Sequence, residues 1–163
     1  MSTHEIDQLP PTSRTVAAAL RQAGITSTVR HLPDSTRTAA DAARALGCPI
    51  AAIANSLVFR CDEAPLLVMT SGAHRVDPAA LAARLGSGPI TRATPDQVRA
   101  ATGQAIGGVA PVGHPAPITT VVDESLAEHT VIWAAAGTPN TVFSTTYDEL
   151  RVITRGQPMR VTT

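Results

Sequence analysis

Small apolar residues recur at helical spacing over residues 14–23, where Val16, Ala19, Leu20 and Ala23 share one face and Gly24 supplies a stop. The pattern then alternates, so residues 26–32 read as a half-buried strand closed by Pro33-Asp34-Ser35. Residues 38–46 form an Ala-rich helix that Gly47 caps and Pro49 forbids from continuing. Two apolar, β-prone runs follow at 53–59 and 66–70, separated by a loop at 60–65 short enough for an antiparallel hairpin. Asp77 before Pro78 opens a helix that Gly86 ends, and the capping box Thr94-Pro95-Asp96-Gln97 opens another that ends before Gly103. Residues 118–123, 131–136 and 141–145 read as three further strands, residues 147–150 as a short helix and residues 151–154 as a last strand. Six or seven strands among short helices, with hairpin-length connections at the centre, predict a mixed α+β domain. No GxGxxG follows a strand, which disfavours a dinucleotide-binding fold.

Length and composition narrow the function. A chain of 163 residues with 44% hydrophobic and 16% charged side chains suits one domain, expected over 12–163 behind a loose polar leader at 1–11. The thirteen basic and thirteen acidic residues balance, so a polyanion must be met by a local patch, for which Arg37, Arg44, Arg75, Arg92 and Arg99 are candidates. All thirteen basic residues are arginine, which excludes Schiff-base chemistry and any lysine nucleophile. Cys48 and Cys61 show neither zinc-ligand nor disulfide-framework spacing, and each reads as a small hydrophobe or loop residue. No metal or other cofactor is expected. With no signal-like leader and no apolar run approaching a bilayer span, a cytoplasmic protein without membrane or DNA partners is expected. Trp133, in an apolar run, reads as core.

One segment differs in character. Residues 104–117 contain three glycines and three prolines among small apolar residues. Paired glycines at 107 and 108 let a backbone approach a ligand closely and turn its N–H groups toward an oxygen, as an oxyanion-binding loop does; a loop packed for its own sake is the competing reading. His31, His74 and His114 are the imidazoles near candidate pocket segments, and Asp123 is the nearest carboxylate. His74 with Arg75 follows a strand and could meet a phosphate or simply cap a turn, while Asp123 could equally cap the turn at 124–127.

These landmarks, taken in order, resemble the YbaK/prolyl-tRNA-synthetase-associated editing domains: Ile53-Ala54-Asn55-Ser56-Leu57-Val58-Phe59, Val68-Met69-Thr70-Ser71-Gly72, Gly107-Gly108-Val109-Ala110-Pro111-Val112-Gly113, Val122-Asp123-Glu124 and Gly137. The resemblance spans residues 14 to 155, and the GxxxP loop from Gly107 to Pro111 is its most specific piece. It implies a mostly antiparallel, barrel-like twisted sheet of about six or seven strands ringed by short helices. It also implies a pocket for the aminoacyl end of a mischarged tRNA, with prolyl-tRNA synthetase as a possible docking partner. Family members hydrolyse the ester of a wrong amino acid of the alanine, cysteine, serine or threonine class, which follows from a physical limit: a pocket discriminates one methylene by only ~1–3 kcal/mol, so small amino acids need a second sieve. A chain of 163 residues leaves no room for synthetase modules, so action in trans is expected.

The resemblance also assigns residues. Asn55 stands where many relatives carry a lysine, so the positive charge must come from an arginine or the substrate must differ; Ser56 stands at a threonine or serine position; Ala110 replaces a frequent serine. Gly107 and Gly108, with Asn55 and Ser56, form the implied catalytic set, acting on an attacking water without a protein nucleophile. His31, Thr70, His74, Arg75, Pro111, His114, Asp123, Gly137 and Asn140 form the implied substrate-binding set. The substitutions at 55 and 110 leave a second reading open, a binding module on the same fold that does not hydrolyse.

Overall fold

The computed structural model describes residues 8–163. Helix α1 (Pro11–Gln22) begins with proline in its first turn and buries Val16, Ala17 and Leu20. The expected leader to residue 7 lies outside the described residues, but Leu9 is buried in the main core, so the fold starts earlier than residue 12. The extended stretch after Gly24 contributes Ile25 and Val29 to that core but pairs only at β1 (Arg30–His31). Alternation there reports burial of one side, not a full strand.

Helix α2 (Ala39–Leu46) is held by a capping box between Thr38 and Asp41 and stopped by Gly47 at φ +69°. After a 3₁₀ turn (Ile50–Ala52), strands β2 (Ile53–Cys61) and β3 (Ala64–Ser71) form the expected hairpin, but on a two-residue turn. Asp62 and Glu63 both take positive φ, the primed geometry that matches strand twist, so the strands run closer to the tip than the six-residue loop expected. Helices α3 (Pro78–Leu85) and α4 (Pro95–Thr102) start at Asp77 and Thr94 and end at Gly86 and Gly103. Between them lies β4 (Ile90–Arg92), too short to leave a periodic signal in the sequence.

Strand β5 (Thr119–Asp123), a 3₁₀ turn (Glu124–Glu128), β6 (Ile132–Ala135) and β7 (Thr141–Thr145) follow. The C-terminal expectation needs correction: residues 147–154 are one helix, α5 (Tyr147–Thr154), and the last strand is β8 (Gln157–Met159). The β-branched run Val152-Ile153-Thr154 argues for a strand, but the capping box at Thr146 and Glu149 nucleates a helix. Its i, i+3 spacing then places Leu150 and Ile153 on the core while Val152 is exposed.

The sheet order is β1-β7-β6-β2-β3-β5-β8, with β4 joined to β2. Antiparallel pairs join β1/β7, β6/β7, β2/β3 and β2/β4, and parallel pairs join β2/β6, β3/β5 and β5/β8. The fold is therefore the expected mixed α+β class, with eight strands in place of six or seven. Its terminal strands β1 and β8 do not pair, so the sheet stays open rather than closing as a barrel.

Strand β2 is the member that shapes the site. One edge pairs along its length with β3, while the other meets β6 only at Ile53 and Ala54 and β4 only from Phe59 to Cys61. Between these two partial neighbours the edge is open.

Candidate functional site

A cavity of about 300 Å³ lies at this opening. Asn55, Ser56 and Leu57 form its floor, Trp133 to Ala135 of β6 one side, Arg92 and Ala93 the other, and Ile106 to Val109 bend over it. Arg37 and Thr38, just before α2, complete the rim. Among the described residues the wall contains two arginines and no Asp, Glu, His or Cys. Its field is therefore cationic, and neither guanidinium forms an ion pair with a carboxylate among the described residues. Arg92 instead lies over the Phe59 ring at 5.7 Å.

The glycine loop is fixed from below. Gln104, buried beneath it, accepts from the Ala110 N–H at 2.7 Å and donates to the Val112 carbonyl at 3.0 Å. The Thr102 hydroxyl ties the same turn, accepting from the Gln104 N–H at 3.0 Å. The other side rests on the β6–β7 turn: the Gly137 N–H donates to the Gly108 carbonyl at 2.9 Å. A Cβ on Gly108 would stand 2.2 Å from the Thr138 carbonyl carbon, so only glycine permits this contact. The turn itself is braced by hydroxyls, with Thr138 Oγ1 2.7 Å from Thr141 Oγ1 and that oxygen 3.0 Å from Ser13 Oγ of α1. Neither Gln104 nor Ser13 was expected from sequence to matter, because a lone polar residue shows its partners only once the chain is folded.

The structure divides the residues singled out from the sequence. Gly107, Gly108, Asn55 and Ser56 meet at the cavity, and the Ser56 hydroxyl turns to Met69 Sδ at 3.2 Å. The nine residues of the implied substrate-binding set lie outside its wall. Asn140 bonds Asp34 Oδ1 at 3.1 Å and, with Gly137, shapes the turn under the loop; Pro111 is buried at the loop's foot. His31 is exposed on the edge strand β1, and Arg75 is exposed after β3. His114 bonds the Ala110 carbonyl at 2.8 Å from the far side; burial pushes its pKa down, against that hydrogen bond. Trp133, expected in the core, is half-buried on the cavity wall, with the Arg30 guanidinium 5.4 Å from its ring.

Thr70, His74 and Asp123 come together elsewhere. Asp123, 1% exposed, accepts from the Ser71 N–H at 3.0 Å and lies 2.9 Å from His74 Nδ1 and 3.5 Å from Thr70 Oγ1. Its second oxygen accepts from the Ser125 N–H at 3.0 Å and hydroxyl at 2.8 Å, which caps the following 3₁₀ turn. Both Asp123 and Ser125 use the same ring nitrogen of His74, so the group is a clamp rather than a nucleophile relay, in which the imidazole would use both nitrogens. Burial alone would raise the Asp123 pKa, but the donors from Ser71, Ser125 and His74 outweigh it and hold it below its ordinary 3.8.

A depressed folded-state pKa contributes stability that is complete above the unfolded value and lost as pH falls through the folded one. Wild type is therefore expected to lose denaturant resistance below about pH 4 faster than Asp123→Asn, which is weaker at neutral pH. Parallel urea titrations at pH 7 and pH 3 check this; an equal loss in both proteins would show that Asp123 is not the group responsible.

Among the described residues no cluster of three or more His, Cys, Asp or Glu stands close enough to hold a metal ion, and no helix is long and apolar enough to cross a membrane. A small mixed-sheet domain with a cationic cavity under a glycine loop is the class that fold and site define. The chain belongs to the aminoacyl-tRNA editing domain family, whose profile matches residues 33–153.

Among solved structures, it is similar to a protein proposed as a trans-editing enzyme for prolyl tRNA synthetase, at 41% identity and TM-score 0.91, over 96% of this chain and 99% of that one. A scaffold protein used for computational epitope grafting shares 37% identity, TM-score 0.90, over 95% and 99%. The hypothetical protein APE2540 shares 26% identity, TM-score 0.81, over 90% and 98%. Comparison with curated proteins gives no match.

Proposed function

We propose that this chain acts in trans as an aminoacyl-tRNA deacylase, hydrolysing the ester that joins a small mischarged amino acid of the alanine, cysteine, serine or threonine class to the terminal ribose of a tRNA. The observation that carries this reading is the cavity wall, whose only charged residues among those described are Arg37 and Arg92 and over which the Gly107–Gly108 backbone bends. A substrate with a short acyl group on a polyanion fits it: guanidiniums at the rim meet phosphate, and about 300 Å³ suits a small side chain with part of the ribose. The arginines supply the charge that Asn55 does not. The similarity to a protein proposed as a trans-editing enzyme for prolyl tRNA synthetase favours a tRNA of that synthetase as substrate and the synthetase as docking partner.

In this mechanism water attacks the ester carbonyl carbon while the N–H groups of Gly107 and Gly108 meet the oxygen that gains charge. The acyl–oxygen bond then breaks, and the ribose oxygen leaves with a proton. Because the wall holds no carboxylate or imidazole among the described residues, protons pass through water and the vicinal ribose hydroxyl. That same absence favours a second reading, binding without hydrolysis.

Deacylation of tRNAs charged with Ala, Cys, Ser, Thr and Pro, by wild type and by Gly107→Val, decides between them. Selective hydrolysis lost in the variant supports the deacylase, and no hydrolysis of any of the five supports the binding module. Arg37→Ala and Arg92→Ala are each expected to raise KM roughly 10-fold with a smaller change in kcat, and to flatten the salt dependence of kcat/KM. An unchanged salt slope would remove the arginines from phosphate contact.

A further inference from the structure

The open edge of β2 has a polarity that its register fixes. The Ile53 carbonyl accepts from the Gly72 N–H on the β3 side, so backbone groups of odd residues point to β3 and those of Ala54, Ser56 and Val58 point to the opposite edge. The Val58 carbonyl accordingly accepts from the Ala93 N–H on that edge. The ladder with β6 stops at the pair Ala54–Ala134 and that with β4 starts at Phe59–Arg92, which leaves the Ser56 N–H and C=O with no backbone partner among the described residues.

Across the gap, β6 obeys the same rule. The Ala136 N–H donates to the Thr141 carbonyl of β7, so the Ala135 carbonyl points the other way, toward β2, and the ladder does not continue to pair it with Ser56. The cavity thus opens on a strand-type donor at Ser56 and strand-type acceptors at Ser56 and Ala135. Leaving such groups without partners costs about 1–3 kcal/mol each, unless water or a ligand meets them.

We infer that this gap is the recognition element for a free α-amino group: the substrate's aminoacyl unit enters as a one-residue strand, its α-ammonium donating to the Ser56 and Ala135 carbonyls and its acyl oxygen accepting from the Ser56 N–H on one side and from the glycine loop on the other. The inference rests on the deacylase reading and deepens it, because it restricts the substrate to esters that keep a free ammonium group and excludes N-acylated ones, such as formylated aminoacyl or peptidyl esters. The recognition is blind to the side chain, which leaves selection among amino acids to the apolar wall. Charge on the donor makes the contact stronger than a neutral pair, so its loss is read in binding as well as in rate.

The test compares alanyl-tRNA with its lactyl counterpart, made by deamination and of nearly the same shape, and with N-acetylalanyl-tRNA, each rate normalised to uncatalysed hydrolysis. The expected result is kcat/KM lower by about 10- to 100-fold for the lactyl ester and at least as much for the N-acetyl ester. A lactyl ester cleaved within about threefold of the alanyl ester would overturn the inference.

If none of the three is cleaved, alanine is not the amino acid removed; the deacylase reading then rests on the five-tRNA panel, and a binding measurement still decides the inference. Amide-linked 3′-alanylamino-3′-deoxyadenosine should shift the Ser56 backbone amide resonance, whereas its N-acetyl form at equal concentration should not. Equal shifts with both, or no shift with either, would refute recognition at this edge.

Discussion

Gly108→Ala is expected to lower kcat/KM for deacylation by on the order of 100-fold while the protein remains folded. The reason is geometric. Gly108 has φ +105°, and an added Cβ would meet three backbone atoms of the β6–β7 turn: the Thr138 carbonyl carbon at 2.2 Å, its oxygen at 2.5 Å and the Pro139 nitrogen at 2.6 Å. No rotamer change relieves a backbone collision, so the loop must lift and carry its N–H groups away from the ester carbonyl. A displacement of about 1 Å at a donor that meets developing charge costs roughly two orders of magnitude.

Gly107→Ala provides the comparison. Gly107 has φ +85°, but its Cβ would find only Pro139 Cγ, at 4.0 Å. The cost is then backbone strain alone, about 1–2 kcal/mol, and the activity loss should be the smaller of the two. Single-turnover deacylation with both variants checks the order. Wild-type kcat/KM in Gly108→Ala would remove the loop from the reacting centre.

The second large effect is expected from a residue that does not line the cavity. Gln104→Leu keeps the volume but removes both bonds that hold the loop's foot, leaving the fully buried Ala110 N–H and the Val112 carbonyl without partners. Each such loss costs about 1–3 kcal/mol, so a destabilisation of roughly 2–5 kcal/mol is expected, or a fall in Tm of about 5–15 °C. Activity should fall as well at temperatures where the variant is folded, because the loop loses its fixed position. Calorimetry with circular dichroism separates the two effects: a Tm within 2 °C of wild type would show that water or relaxation replaces the Gln104 amide. Thr102, whose hydroxyl bridges the Val98 and Gln104 carbonyls, makes the same corner depend on a single buried hydroxyl.

Much of this protein was legible residue by residue because its signals are local. The caps at Asp77 and Thr94 and the stops at Gly47, Gly86 and Gly103 act on neighbours within a few positions, and all five stand where the sequence placed them. The β2–β3 hairpin was legible for the same reason, its two apolar runs and the short connection between them lying in one contiguous stretch. The glycine loop stood out by composition alone, since few other segments need three glycines and three prolines in fourteen residues. At residues 151–154 the upstream capping box at Thr146 and Glu149 outweighed the β-propensity of a branched run, and β4 was too short to show a period.

The sequence by itself determined the fold class, the hairpin at its centre, the preformed loop and the family resemblance, because each is written in contiguous residues. Only the tertiary structure decided which residues share the site. It brought Arg37 and Arg92 to one rim, set the histidines and Asp123 away from it, and moved Trp133 from core to wall. Above all, it left one edge of β2 open at Ser56, a feature no residue of β2 encodes. The opening exists because β4 and β6, separated by some forty residues of chain, stop pairing short of each other, and where a ladder ends depends on packing across the whole sheet rather than on any local preference.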